Sequence, residues 1–292
     1  MELQLKNIGM IKEANVKIDG LTVIAGENDT GKSTLAKFLY FTVFHRPNTD
    51  YRELYKSIFK ESLSRYDTPL GSNVIVNDNE DYTLEPIFIE TPLVWNFTDF
   101  FRDIALVESQ MNIKLDYPYL MKDLNFKLHI KNASKGLDIK EKVTKLMGGE
   151  FKKDEMGRYY FDKQGERIEL VNTATGIKYF GIFQVLSQNN YLNKNTILIL
   201  DEPEVHLHPK WQLEMAKIII ELVKYGVKIV VNSHSPYMIQ SLIKYARDEN
   251  IVDKSNFYLA EKNDDCATFI NVNTELNKIF ELLAKPMNEV YE

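Results

Sequence analysis

The sequence has a single cysteine, Cys266, among its 292 residues. One cysteine cannot form an internal disulfide or supply a cysteine metal cluster, so we expect no redox chemistry. No stretch approaches the ~18 uninterrupted apolar residues of a membrane span. The start of the chain also lacks the basic and apolar regions of a secretory signal. We therefore expect a soluble, cytoplasmic protein with no membrane contact.

The sequence has fewer basic than acidic residues, 36 against 42, and its formal net charge is -6. This balance argues against a protein that coats nucleic acid. Residues 122–153 are the exception, because lysines outnumber acids there. Such a stretch is either a solvated helix face or a surface for a phosphate backbone, and both readings stay open.

Residues 26–33 read GENDTGKS and match the pattern G-x-x-x-x-G-K-[ST]. An apolar, β-branched run at 21–25 precedes them, and apolar residues at helical spacing follow until Pro47. The sequence thus predicts a strand, a glycine loop and a helix. In this arrangement backbone amides at a helix N-terminus cradle a triphosphate.

The chemistry of this loop assigns distinct roles to its residues. Lys32 is predicted to reach the β- and γ-phosphates, and Ser33 to ligate the Mg²⁺ that bridges them. Lys32 thereby also counts as a catalytic residue. The predicted nucleotide-binding residues of the loop are Asn28, Asp29, Thr30, Gly31, Lys32, Ser33 and Thr34.

Hydrolysis needs further residues, and the second half of the chain offers three. The apolar run 196–200 predicts a buried strand that delivers Asp201 and Glu202 to the phosphates. Asp201 is predicted to hold Mg²⁺ with Ser33, and Glu202 to orient or deprotonate the attacking water. His234 follows the next predicted strand, where a neutral ring is expected to donate to the γ-phosphate and to sense whether that phosphate is still attached.

The order GENDTGKS, ILILDEPEVHLHP and VVNSHSP resembles the ABC-type ATPase heads of the RecF, SMC and OLD-like group, which includes AAA family ATPases of bacterial anti-phage defence systems. The resemblance covers roughly residues 1–45 and 165–292. It implies an α/β P-loop NTPase fold with a mixed or parallel sheet core, N-terminal antiparallel strands and an inserted, mainly helical lid subdomain at 46–164.

In that family two heads dimerise, and each completes the ATP site of the other with a signature loop. The resemblance assigns this loop to residues 172–178, where Thr175 and Gly176 stand for the serine and first glycine of LSGGQ. Ile177 and Lys178 depart from that motif, so the alternative of a plain helix N-terminus stays open.

The resemblance also concerns the segment after the acidic pair and a magnesium-sensing position. His206 and Pro209 belong to the loop that lies at the dimer interface in the family, which accounts for His206 and His208 without a metal. Glu90 is the nearest candidate for the residue that senses Mg²⁺, where the family has a glutamine.

Two functions follow, and they belong to different classes. The first is an ATPase that dimerises around Mg-ATP and switches a separate protein effector in DNA repair or phage defence. The second is a scaffold or sensor that holds ATP without turnover for a nuclease or toxin. The nucleotide-binding subunit of a membrane transporter is disfavoured, because LSGGQ is missing and HLHP follows the acidic pair.

Overall fold

The computed structural model describes residues 1–44, 49–60, 73–77, 84–113, 115–263 and 265–291. It divides into two compact units, residues 1–88 with 195–292 and residues 89–194. The predicted helix end at Pro47 lies outside the described residues, and α1 is described to Val43.

The strands and helices alternate along much of the chain. The strands are β1 Glu2–Ile8, β2 Ile11–Lys17, β3 Leu21–Gly26, β4 Asn73–Asn77, β5 Glu85–Ile89, β6 Glu150–Lys153, β7 Tyr159–Lys163, β8 Glu166–Glu169, β9 Thr196–Asp201, β10 Lys228–Ser233, β11 Ser255–Asn263 and β12 Cys266–Asn271. The helices are α1 Lys32–Val43, α2 Tyr51–Phe59, α3 Thr98–Met111, α4 Tyr119–His129, α5 Lys140–Met147, α6 Thr175–Gln188, α7 Pro209–Tyr225, α8 Pro236–Asp248 and α9 Asn277–Tyr291.

The first unit is built on a mixed sheet whose strand order, over the described residues, is β4-β1-β2-β12-β11-β3-β10-β9-β5. β3, β9, β10 and β11 are parallel neighbours, whereas β1 and β2 form an antiparallel pair. The predicted P-loop NTPase fold with a mixed sheet and N-terminal antiparallel strands is therefore confirmed.

The register of the parallel strands places the predicted chemistry at one edge. All residues of β3 and β9 are buried, as expected for apolar strands covered on both faces. Ser233 of β10 pairs with Ala25 of β3, and Asn232 pairs with Asp201 of β9. Carboxyl ends of parallel strands meet at one edge of a sheet, which is where such folds bind ligands.

The second unit combines helices α3 to α6 with the three-stranded sheet β6-β7-β8. Trp95 stacks on Phe151 with ring centroids 4.9 Å apart, and its indole donates to the Lys178 carbonyl at 2.9 Å. The second unit covers residues 89–194, whereas the predicted insertion covered 46–164. The difference at the C-terminal end arises because α6 packs with α5 and β6. The assignment of head and lid thus stays a prediction.

Some lysines of the stretch 122–153 form ion pairs with carboxylates of the same unit. Lys140 and Lys152 contact the Glu150 carboxylate at 2.7 and 3.1 Å, and Lys152 also lies 3.0 Å from Asp162. These pairs reduce the net positive charge that the stretch presents to solvent. Within the described part of the chain, none of the helices has the length and apolar content to cross a membrane.

Lys127 and Asp123 form an ion pair on α4, and their side chains are 0% and 4% exposed. Removing one partner of a buried pair leaves a charge without its counterion, which costs about 3–5 kcal/mol. We expect Asp123→Ala to lower the free energy of unfolding by this amount in urea titrations. The double variant Asp123→Leu/Lys127→Met should recover most of the loss, and a double variant as unstable as the single one would contradict this account.

Candidate functional site

The loop between β3 and α1 takes a backbone course that requires two of its glycines. Gly31 directly precedes α1 with φ 83°, and a Cβ there would lie 2.8 Å from Ile11 Cγ1. At Gly26, with φ 155°, a Cβ would lie 2.7 Å from the Ala260 carbonyl oxygen. Only glycine fits both positions without displacing backbone or core atoms. The predicted strand, glycine loop and helix are present.

Lys32 begins α1, and its ammonium is held by the loop itself. Nζ donates to the carbonyls of Gly26 at 3.0 Å and Glu27 at 2.6 Å. Burial lowers the pKa of Lys32, while the carboxylates of Glu202 and Asp201, followed by Glu204 and Glu27, oppose that shift. The lysine predicted to grip phosphates is thus surrounded by acids that favour its charged form.

Asp201 ends β9 beside the first residues of α1. Its Oδ1 accepts a 2.7 Å hydrogen bond from Asn232 Nδ2, and the Ser33 hydroxyl also bonds this carboxylate. Burial raises the pKa of Asp201, against the effect of these two bonds. The structure thus brings together Ser33 and Asp201, the two oxygen ligands predicted for Mg²⁺.

Glu202 and His234 face each other at the ends of β9 and β10. Glu202 has a positive φ of 50°, and its amide donates to the Asn232 carbonyl at 3.0 Å. His234 Nδ1 lies 3.4 Å from Glu202 Oε1 and 3.7 Å from Glu204 Oε1. Nδ1 is buried and makes no hydrogen bond among the described residues, so these two carboxylate oxygens are its near neighbours rather than its hydrogen-bond partners.

A cavity of about 350 Å³ opens at this edge of the first unit. It is lined by residues 28–34, Met10 and Glu202, so all seven predicted loop residues share it with the predicted base. The backbone amides at the start of α1 and the Lys32 ammonium suit a polyphosphate.

The acids of the same site explain why a divalent cation fits it. Asp201, Glu202 and Glu204 outnumber the one buried ammonium that they surround, and a polyphosphate adds further negative charge. Hydroxyl and carboxylate oxygens, as on Ser33 and Asp201, are ligands that Mg²⁺ prefers. Mg-ATP therefore fits the residues present.

The predicted signature residues belong to the second unit. Thr175 and Gly176 open α6 and are half-buried, and Ala174 at its N-cap makes no side-chain cap. Lys178 is buried, and its Nζ donates to Asn96 Oδ1 at 3.0 Å. Lys178 is thereby committed to the interior of its own unit, whereas the role of Thr175 and Gly176 stays a prediction.

The remaining predicted residues lie on the surface. Glu90 is exposed directly after β5, so its sensing role stays a prediction. His206 and His208 are exposed in the loop between β9 and α7, and His208 caps α7 by accepting from the Lys210 amide. Among the described residues no cluster of three or more histidine, cysteine, aspartate or glutamate side chains could hold a metal.

Three residues of the site escaped prediction from the sequence. Glu204 accepts hydrogen bonds from the segment of His234, and Asn232 donates to Asp201. The sequence held a sign of each: Glu204 is a further acid in DEPE, and Asn232 is a polar residue within the apolar strand VVNS. Lys262 lies 2.8 Å from Asp29, and no sequence signal joins residues so far apart.

Residues 105–239 match the family model of the AAA ATPase domain. This range includes Thr175, Asp201, Glu202 and His234 but not the glycine loop. No curated protein matches the chain in sequence.

Solved structures of SMC heads are similar to the whole chain. An SMC head bound to the C-terminal winged-helix domain of ScpA is 12% identical, with 95% of this chain and 98% of that chain covered and a TM-score of 0.55. An SMC head with an extended coiled coil, bound to the C-terminal domain of ScpA from Pyrococcus furiosus, is 13% identical, with 97% and 99% covered and a TM-score of 0.54. This likeness concerns the fold, and with the family match it confirms the resemblance to ABC-type ATPase heads.

Proposed function

We propose that the chain is an ATPase that binds Mg-ATP, hydrolyses it to ADP and phosphate, and uses the cycle to switch a partner protein. The observation that carries this proposal is the convergence of Lys32, Ser33, Asp201, Glu202 and His234 at one edge of the sheet. Binding of Mg-ATP alone would need neither Glu202 nor His234. Their position beside the loop supports hydrolysis rather than binding alone.

Each side chain has a distinct task in this proposal. Lys32 leaves its loop carbonyls to bind the β- and γ-phosphates, which restores its hydrogen bonds with charged acceptors. Glu202, which lines the cavity, orients the attacking water and takes its proton. His234 is close enough to Glu202 to stabilise the carboxylate or contact the departing phosphate.

Ser33 and Asp201 are the residues that would hold Mg²⁺. When bound, the ion neutralises charge on the phosphates and lowers the cost of developing charge in phosphoryl transfer. Asn232 orients the Asp201 carboxylate through its 2.7 Å hydrogen bond. Such support fixes a metal-binding carboxylate before the ion arrives.

A second copy of the chain is proposed to close each ATP site. Thr175 and Gly176 open a helix, where a hydroxyl and free backbone amides can bind the γ-phosphate of the partner copy. The exposed loop with Val205 and His206 offers a contact surface for that copy. ATP would thus act as the link between the two copies.

The partner is proposed to be a separate protein effector in DNA repair or phage defence. One similar structure is an SMC head bound to a winged-helix domain of another protein, which supports an effector docked on the head. Residues 122–153 are a weaker candidate for nucleic-acid contact, because Glu150 and Asp162 pair with two of their lysines.

A second candidate function is a sensor that holds ATP without turnover. The observation that favours it is the buried Lys178, which bonds Asn96 and cannot act as the last polar residue of a signature loop. A loop that fails to complete the site of a partner copy would leave each P-loop loaded and inactive.

Phosphate release and molecular mass, measured on the purified chain, separate the two functions. The ATPase proposal predicts magnesium-dependent release and a doubling of mass in ATP that reverses in ADP. Each assay is run with and without DNA. Thr175→Ala should lower the fraction of chains that form a dimer in ATP, while the monomer still binds ATP. Tight ATP binding without phosphate release in any condition would favour the sensor.

A further inference from the structure

Glu204 lies three residues after Asp201, and its side chain is 4% exposed. Its Oε1 accepts from the Ser233 hydroxyl at 2.7 Å, the His234 amide at 2.9 Å and the Ser235 amide at 3.1 Å. The three donors belong to consecutive residues at the end of β10. A single carboxylate oxygen thus fixes the backbone that carries His234.

We propose that Glu204 is a positioning residue that holds the imidazole of His234 against Glu202. The inference rests on the proposed function for the role of His234. Two amide bonds to one oxygen fix the orientation of the peptide units on both sides of His234, and therefore the direction of its side chain. The same oxygen lies 3.7 Å from Nδ1, which favours the ring orientation seen in the structure.

The energetics argue for a functional rather than a merely structural carboxylate. Glu204 Oε2 is buried and has no hydrogen-bond partner among the described residues. Burying an incompletely paired charge costs stability, and a neutral acceptor could bond the same three donors at lower cost. The carboxylate has a use here because its Oε1 binds the backbone on both sides of His234 and lies 3.7 Å from Nδ1 of the ring that this backbone carries.

The rest of this segment is held independently of Glu204. Ser235 Oγ donates to Gln212 Oε1 at 2.7 Å and caps α8 by accepting from the Met238 amide at 3.4 Å. Gln212 Nε2 in turn donates to the Leu207 carbonyl at 3.0 Å. Loss of Glu204 should therefore release the His234 amide and leave the Ser235 amide with its 3.1 Å bond to the Ser233 hydroxyl, while α8 stays docked.

The test is a double-mutant cycle between Glu204 and His234, read as kcat and as ATP affinity. We expect Glu204→Ala to lower kcat roughly 10- to 100-fold, the range for a displaced catalytic group, with ATP affinity unchanged. In the His234→Ala background it should lower kcat little further, because both changes act through one ring. Glu204→Gln, which keeps an acceptor oxygen, should retain more activity than Glu204→Ala. Glu214→Gln, which changes a half-buried carboxylate on α7 that pairs with Lys217, is the matched control and should behave as wild type.

Losses that multiply in the double variant, or wild-type kcat in Glu204→Ala, would overturn the proposal. Amide hydrogen exchange in the nucleotide-free chain keeps the test independent of hydrolysis. The His234 amide should exchange faster in Glu204→Ala than in Glu204→Gln or wild type. If wild type shows no turnover, the proposed function fails, but the exchange rates still test whether Glu204 holds the segment that carries His234. Equal exchange rates in wild type and Glu204→Ala would refute the positioning role of Glu204.

Discussion

Lys32→Ala should remove most of the ATP affinity of this chain, one of the two largest effects expected of any substitution in it. The ammonium is buried at the start of α1, beside the backbone amides that would hold the phosphates. Truncating one partner of a buried, hydrogen-bonded charge pair costs about 3–5 kcal/mol. That loss weakens affinity on the order of a hundredfold to a few thousandfold. Titration with a fluorescent ATP analogue measures it directly.

The substitution also removes the positive charge that balances the acidic side chains of the site. Without the ammonium, Asp201, Glu202 and Glu204 would face the phosphates with no fixed counterion. Repulsion therefore adds to the lost contact, and extra Mg²⁺ should restore only part of the affinity. Lys6→Ala removes the same charge from an exposed position on β1 and should leave affinity unchanged.

Thermal unfolding of the nucleotide-free variant separates lost binding from lost folding. Lys32 bonds the Gly26 and Glu27 carbonyls, so its removal should cost only about 1–2 kcal/mol of unfolding free energy. A folded Lys32→Ala chain with wild-type ATP affinity would refute the role assigned to the loop.

The sequence predicted the centre of this site because short-range patterns determine it. An apolar run followed by glycines fixes β3 and the start of α1, and a second apolar run ends in Asp201 and Glu202. Parallel pairing with β10 then brings His234 to the same edge. Each step needs only strand periodicity and the rule that ligands bind at the carboxyl ends of strands.

Other features depend on tertiary contacts that leave little trace in the sequence. Glu204 was visible in the sequence only as the last residue of the DEPE motif. Its hydrogen bonds to residues about thirty positions away follow from the β9–β10 register. Trp95 stacks on Phe151 inside the second unit, and no local periodicity in the sequence indicates that contact. Lys178 ends the segment 172–178 that the resemblance assigned to the signature loop, yet it is buried and its ammonium donates to Asn96.

Glu202→Gln should preserve ATP binding but slow hydrolysis by about 10²- to 10⁴-fold, the usual contribution of a general base. The amide keeps the size and polarity of the side chain, so the loop, Ser33 and Asp201 stay in place to bind Mg-ATP. The amide cannot accept the proton of the attacking water. Single-turnover phosphate release and ATP affinity, measured on the same preparation, separate chemistry from binding.

The same variant also tests the link between hydrolysis and dimerisation. If ATP joins two copies and hydrolysis releases them, Glu202→Gln should accumulate dimers in ATP that persist far longer than those of wild type. Glu13→Gln makes the same chemical change on the exposed face of β2 and should show wild-type turnover and mass. Wild-type turnover in Glu202→Gln would exclude Glu202 as the base, whereas slow turnover without dimers would retain the base and exclude the second copy as the closing partner. The two outcomes are independent because the base belongs to the first unit, whereas the proposed closing residues Thr175 and Gly176 belong to the second.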